Sequence, residues 1–356
     1  MDPALIDDDD LPASRKSVLP GEGFFLPEDL QDRERDAEAA AALEARETVI
    51  VSDSDADGLA CVALLREYTD EAAMLPSGPY DLSASLERVA RFGEPEIDLY
   101  VCDLVPDRLE EVLDPLEQLL EAGSDVTWFD HHQWEPEIEQ GIRDLGVDLR
   151  LGESGEECTA NVVVREVSYE FPEYLQELAD VTRDHDLWIK EDPRSDDLAD
   201  FAYWAEPEEF VATVQANGVE FTPDVEAFLA ERRIEKDDLI ARAVDRAQFV
   251  EIGPWTVGVT YGRCSQNEVA ESLREQGADA SVIVKPAGSA SIRGSEGFER
   301  CHEVARQVNG GGHPKAAGCK PDIYADMLDY AHHWVTEGAV AKREILRAFE
   351  SLEGSA

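Results

Sequence analysis

Three aspartates stand at every second position in D-S-D-A-D-G: Asp53, Asp55 and Asp57, closed by Gly58. Carboxylates this close repel one another unless a cation lies between them. A calcium EF-hand loop shares the D-x-D-x-D-G pattern. It requires a glutamate at position twelve, where this chain has Leu64, and a preceding helix, where it has the strand-like TVIV. The positive end of a helix dipole attracts acids, but that accounts for only one or two of the three. Further along, Asp103 follows the apolar run LYVC, a position where an aspartate is commonly a turn residue or an N-cap. Asp130, His131 and His132 are consecutive, and they hold two of the seven histidines in the chain. Carboxylate with imidazole suits manganese, iron, zinc or cobalt, whereas magnesium seldom recruits histidine. Asp184, His185 and Asp186 lie in TRDHDLW, where at least one aspartate is expected to ligate; the alternative is a solvated turn with Trp188 packed beneath it.

A different chemistry is suggested by NGGGHPKAAG at 309–318. Gly310, Gly311 and Gly312 let a backbone come close to a phosphate and point N–H groups at its oxygens, and His313 adds a donor. The plainer alternative is a tight turn that opens a helix at Pro314. Arg293, at the end of SASIR, could clamp a phosphate bidentately. Lys285 and Arg263 are weaker candidates, since either could be a solvated surface charge. No G-x-S-x-G, H-E-x-x-H or P-loop pattern supports a serine hydrolase, a zincin or a Walker nucleotide site.

These residues need elements to hold them. TVIV (48–51), IDLYVCD (97–103) and VTWFD (126–130) are short apolar runs of the kind buried on both faces of a sheet. Between them GLACVALLREY (58–68) and RLEEVLDPLEQLLEAG (108–123) carry helical spacing. Strand and helix in alternation predict a parallel α/β sheet, whose ligands bind beyond the carboxyl ends of its strands. All three strands end in an acid. Residues 156–190 read as helical. WTVGVTY (255–261), SVIVK (281–285) and SASIR (289–293), with the helical NEVAESLREQG among them, predict a second, smaller α/β domain. The domain bounds expected are an acidic tail over 1–46 with one short helix and GFFLP (23–27) docked on the body, a catalytic domain over 47–205, a helical connector over 206–250, and a substrate-binding domain over 251–350.

The charge balance is extreme. Eighty acidic residues face 31 basic ones, a net of -49, and lysine is scarce. The apolar runs argue against a disordered chain, and adaptation to concentrated salt, where self-repulsion is screened, is the reading adopted. From Pro254 to Lys320 eight basic residues stand against seven acidic ones, so the second domain is locally near neutral and able to receive an anion. Six cysteines with no C-x-x-C pair indicate a reduced, cytoplasmic setting, and neither a signal peptide nor a membrane span is read.

In order, D-S-D-A-D-G, the aspartate of VCD, the literal D-H-H at 130–132 and D-H-D-L-W resemble the four motifs of the DHH phosphoesterase superfamily, and GGGHPKAAG resembles the signature of the DHH-associated C-terminal domain. The resemblance spans roughly residues 48–320. It implies two divalent ions, manganese foremost with magnesium or cobalt as alternatives. Asp55 and Asp57 would be ligands and Asp103 would bridge. Asp130 and His131 would join the ligand and electrostatic set, and His132 would meet phosphate or metal. Asp184 would be the fourth-motif ligand, with Asp186 second. Many members carry a histidine four or two residues before the position of Asp55; here stand Val51 and Asp53, which leaves open whether Asp53 ligates. The implied activity is manganese-dependent hydrolysis of short single-stranded DNA or RNA by two-metal water activation, as in RecJ exonucleases or nano-RNases, with substrate in a cleft between the domains. Alternatives are a cyclic dinucleotide phosphodiesterase, a 3′-phosphoadenosine 5′-phosphate phosphatase, or a non-catalytic scaffold for replication or repair proteins. Polarity and oligomeric state stay open.

Overall fold

The computed structural model describes residues 28–353 apart from 70, 79, 80 and 326, so the docking expected of GFFLP lies outside the described residues. The chain divides into two compact units, between Leu229 and Ala230.

The first unit begins with helix α1 (Glu28–Leu43), followed by β1 (Thr48–Asp53), α2 (Ala56–Thr69), β2 (Ala73–Ser77), α3 (Leu82–Phe92), β3 (Asp98–Cys102), α4 (Glu110–Glu121), β4 (Asp125–Asp130), α5 (Pro136–Asp144) and β5 (Asp148–Leu151). Helices α6 (Thr159–Glu166), α7 (Glu173–Asp186), α8 (Ser195–Trp204) and α9 (Pro207–Asn217) complete it. The strands form one five-stranded sheet in the order β2-β1-β3-β4-β5, every pairing parallel. The expected α/β class is therefore the observed one. In β1, flanked by β2 and β3, Val49, Ile50 and Val51 are wholly buried because helices cover both faces. Helix α2 is buried continuously from Ala56 to Leu65, so it has no polar face to show water. It packs against α6, α7 and α9.

Two expectations on organisation need correction. The acidic tail expected over 1–46 is not wholly a tail, because α1 is part of the first unit: Ala39 and Leu43 are buried, and Asp36 pairs with Arg88 at 3.1 Å. The connector expected over 206–250 starts later, because α9 buries Phe210, Val211 and Val214 in the first unit's core. Among the described residues, only α10 (Pro223–Asp245) runs across the division.

The second unit continues with β6 (Gln248–Ile252), β7 (Trp255–Tyr261), α11 (Gln266–Glu275), β8 (Ala280–Val284), β9 (Ala290–Gly294), α12 (Cys301–Arg306), β10 (Gly310–Gly312), β11 (Ala316–Cys319), α13 (Met327–Val335) and α14 (Ala339–Glu353). Its six-stranded sheet has the order β10-β11-β9-β8-β7-β6 and is mixed: β7 and β8 are parallel, joined through α11, and the other pairings are antiparallel. The glycine-rich segment is a hairpin of two strands, with Pro314 in its turn and no helix beginning there. At Gly310 a side chain would strike the Gly318 carbonyl oxygen at 2.1 Å, so only glycine lets β10 lie this close to β11. Among the described residues no helix is long and apolar enough to cross a membrane.

Candidate metal centre

The spacing of D-S-D-A-D-G follows from the strand-to-helix turn that carries it. Asp53 ends β1. Asp55 caps α2, its Oδ1 accepting the N–H groups of Asp57 at 3.0 Å and Gly58 at 3.1 Å. Asp57 then sits in the first helical turn, buried, beneath the others. Gly58 closes the turn because a Cβ there would lie 2.3 Å from the Asp53 carbonyl oxygen.

The remaining groups arrive from neighbouring strand ends. Asp103 follows β3 in the left-handed region, at φ 60°, and its N–H donates to the Phe129 carbonyl at 3.1 Å. His131 and His132 follow β4. His131 Nε2 lies 3.3 Å from Asp186 Oδ2 and 3.7 Å from Asp103 Oδ1. His131 Nδ1 is buried with no hydrogen-bond partner. Asp186 is the last residue of α7.

Three sets of ligand atoms each fall within 4.8 Å of one another: Asp53, Asp55 and Asp103; Asp57, His131 and Asp186; and Asp103, His131 and His132. Asp103 belongs to two of them. Asp55 and Asp186 reach solvent, so the centre is open on their side. Burial, reinforced by the charge of Asp55, pushes Asp53 up to about 8. Burial and the charge of Asp57 hold Asp103 well above the usual carboxylate range. Without a cation, these groups keep protons that ordinary aspartates release. An acceptor crowd of this kind, with an orphaned buried imidazole nitrogen, fits divalent ions bound by oxygen and nitrogen.

Two expected ligands do other work. Asp130 is completely buried and both of its oxygens are engaged: Oδ1 with His132 Nδ1 at 2.8 Å, and Oδ2 with the Trp134 indole N–H at 2.6 Å. It belongs to none of the three sets and instead fixes the ring of His132. Burial pushes the His132 imidazolium down, but the charge and hydrogen bond of Asp130 outweigh this and raise it to about 9. The same partnership holds Asp130 below its usual range in spite of burial. Asp184, preferred over Asp186 from sequence, also lies outside the sets. Its Oδ1 accepts the Glu191 N–H at 2.9 Å, and its carbonyl accepts that of Ile189 at 2.8 Å, so it ties down the turn after α7. Residues two apart on a helix point about 200° from each other, so only one of the pair can face the centre. That one is Asp186.

Sequence reasoning missed Thr159 and Trp134. The first turn of α6 gives Asp57 two N–H groups, from Thr159 at 2.7 Å and Ala160 at 2.8 Å, and the Thr159 hydroxyl donates to Asp103 Oδ1 at 2.9 Å. Trp134 packs edge-on to Trp128 while holding Asp130. A threonine opening an apolar helix carries no signal of type or spacing. Trp134, four residues beyond Asp130 in DHHQW, could have been noticed.

In the second unit, Gly310, Gly311 and Gly312 form β10, and the His313 N–H closes the hairpin turn onto the Ala316 carbonyl at 2.7 Å. Arg293, on β9, donates from Nε to Asn267 Oδ1 at 2.8 Å. Lys285 lies just past the end of β8, its ammonium pushed down by burial and by the charge of Arg293. Neither cation has a carboxylate partner among the described residues, and the buried Nη2 of Arg263 has no hydrogen-bond partner.

The chain has the fold of the DHH-domain proteins. It is similar to RecJ from Thermus thermophilus in complex with Mn2+, at 16% identity and a TM-score of 0.54, over 94% of this chain and 56% of that one. It is also similar to PggH, a pGpG-specific phosphodiesterase from Vibrio cholerae, at 14% identity and a TM-score of 0.49, over 85% of this chain and 98% of that one. No family model and no curated protein matches the sequence.

Proposed function

We propose that this protein is a metal-dependent phosphoesterase that hydrolyses phosphodiester bonds in short single-stranded nucleic acid, in the manner of a RecJ-like exonuclease or an oligoribonuclease. The observation that supports this most is the convergence of two separate ligand sets, with a third, Asp103, His131 and His132, that takes one residue from each. Asp53, Asp55 and Asp103 would hold one cation; Asp57, His131 and Asp186 would hold another. A divalent pair, when bound, supplies Lewis acidity toward a phosphoryl oxygen and makes water acidic enough to act near neutral pH. Imidazole in the second set favours manganese or cobalt over magnesium.

The protein's own part is positioning and charge. Asp130 braces the ring of His132 and, in the metal-free protein, raises it to about 9, so His132 is the group proposed to present its outer N–H to the anionic phosphoryl group. In the second unit, Arg293, Lys285 and Arg263 are proposed anion contacts, because cations without carboxylate partners among the described residues, in a chain of net charge -49, are matched to an outside anion, and the glycine-rich hairpin that carries His313 is proposed to approach the same anion. The acidic surface is proposed to suit a salt-rich cytoplasm.

The test is a substrate panel in molar salt with Mn2+: labelled DNA and RNA oligomers of two to twenty nucleotides with each end blocked in turn, a cyclic dinucleotide, and adenosine 3′,5′-bisphosphate. Stepwise shortening of the oligomers supports the reading. Turnover of the cyclic dinucleotide or bisphosphate alone replaces the substrate, and no turnover of any member points to a scaffold.

A further inference from the structure

Two candidate ligands from different strand ends, Asp57 and Asp103, are joined through one buried residue of α6. We infer that Thr159 is a positioning residue for metal capture, one that fixes the two carboxylates relative to each other; this rests on the reading of the centre as a divalent-metal site. Thr159 is wholly buried, so its two polar contacts with these carboxylates are not shared with water. Its N–H donates to Asp57 Oδ2 at 2.7 Å, with the neighbouring Ala160 N–H on Oδ1 at 2.8 Å. Both carboxylate oxygens are thereby pinned, and the plane of Asp57 is set by the backbone of α6. The remaining lone pairs of Asp57 stay available, since an ionised carboxylate has about four acceptor directions.

The hydroxyl makes the second link. It carries one hydrogen, which it gives to Asp103 Oδ1 at 2.9 Å. Asp103 already has its backbone fixed at φ 60° with its N–H on Phe129. Holding one oxygen then fixes the side-chain rotation and aims the other oxygen. Asp103 belongs to the set proposed for one cation and Asp57 to the set proposed for the other, so their relative orientation bears on whether both can form. Partners that orient metal ligands typically change affinity by about 10- to 100-fold when removed.

The contact separates cleanly by substitution. Thr159→Val keeps the shape and both N–H donors to Asp57, but loses the hydroxyl. Thr159→Ser keeps the hydroxyl. Mn2+ binding is measured by titration calorimetry in molar salt, beside thermal melting of each variant. The expected result is that Thr159→Val weakens Mn2+ binding about 10- to 100-fold, while Thr159→Ser binds within about three-fold of wild type by the same rule. A merely structural threonine would change melting and leave the Mn2+ affinity of the folded protein unmoved; that outcome overturns the inference and leaves the metal centre standing. Should Thr159→Val fail to fold, Thr159→Ala is read in the same way. If the wild type itself takes up no Mn2+, the metal centre falls, and this inference with it.

Discussion

Asp57 and Asp130 are both buried carboxylates, yet their duties differ because their partners differ. Asp57 receives two N–H groups and keeps lone pairs for a cation it would share with His131 and Asp186. Asp130 spends both oxygens on His132 and Trp134. Replacing Asp130 with asparagine keeps the shape but removes the charge that raises His132 to about 9. In Asp130→Asn the imidazolium should therefore deprotonate nearer its ordinary range. The alkaline limb of the pH–rate profile is expected to move to lower pH, with activity at pH 8 reduced about tenfold or more and activity near pH 6 less affected; an unmoved alkaline limb would remove His132 from its cationic role. A second expectation concerns the metal-free protein. Asp53 is raised from 3.8 to about 8 and His132 from 6.5 to about 9. Each adds stability that is complete below its unfolded pKa and is lost as pH rises through its folded pKa. Between about pH 6.5 and 9 the folded chain holds more protons than the unfolded one, so stability falls as pH rises. After chelation, at fixed high salt, the melting temperature should be higher at pH 6.5 than at pH 9, and saturating Mn2+ should flatten the slope; a metal-free melting temperature that climbs over this span contradicts the crowding. The residue types were legible in the sequence, because D-x-D-x-D-G and D-H-H are local patterns. The choice of Asp186 over Asp184 was not, because it depends on the rotational phase at the last turn of α7.

The elements that bring these groups together were legible where burial leaves a mark. β1, β3 and β4 are covered on both faces and read as unbroken apolar runs. β2 and β5 lie at the edges of the same sheet, where Pro76 and the alternating charges of DLRL are tolerated, and nothing in their composition announces a strand. β10 is harder still: three glycines have no strand preference, and the pairing is made by backbone alone against β11. The element on which the centre depends most is the β1–α2 turn. A Cβ at position 58 would meet the Asp53 carbonyl oxygen at 2.3 Å, and the obstruction is backbone, which cannot swing aside. Gly58→Ala should therefore push the strand end away from the helix start and part Asp53 from Asp55 and Asp57. A destabilisation of about 1–3 kcal/mol is expected from overpacking at this contact, together with loss of Mn2+ binding by the protein that remains folded. Denaturant unfolding and calorimetric titration of the same preparation check both halves; a variant that keeps wild-type Mn2+ affinity would show that the turn can relax without moving its acids.

At the scale of the whole molecule, net charge sets the conditions under which any of this can be observed. If every one of the 31 basic residues paired with an acid, 80 - 31 = 49 acidic charges would still be unpaired. Such pairs as exist are mostly at the surface, for example Arg194 with Glu177 at 2.8 Å and with Glu220 at 2.9 Å, and exposed pairs contribute little each. Salt weakens those attractions and the net repulsion alike, but the repulsion has many more terms. The Debye length is about 10 Å at 0.1 M and about 3 Å at 1 M, so repulsion between carboxylates on neighbouring elements is felt in dilute salt and screened in concentrated salt. Stability should accordingly rise with ionic strength. Melting followed by circular dichroism from about 3 M to about 0.05 M potassium chloride is expected to show a progressive fall in melting temperature and loss of helical signal at the low end. Millimolar Mn2+ added at low salt should restore part of the loss, and more of it in wild type than in Thr159→Val, because the ions act at the centre as well as in the bulk. If the signal and the melting temperature hold constant across that range without divalent ions, the packed apolar cores outweigh the self-repulsion, and the acidic surface must be explained by something other than salt.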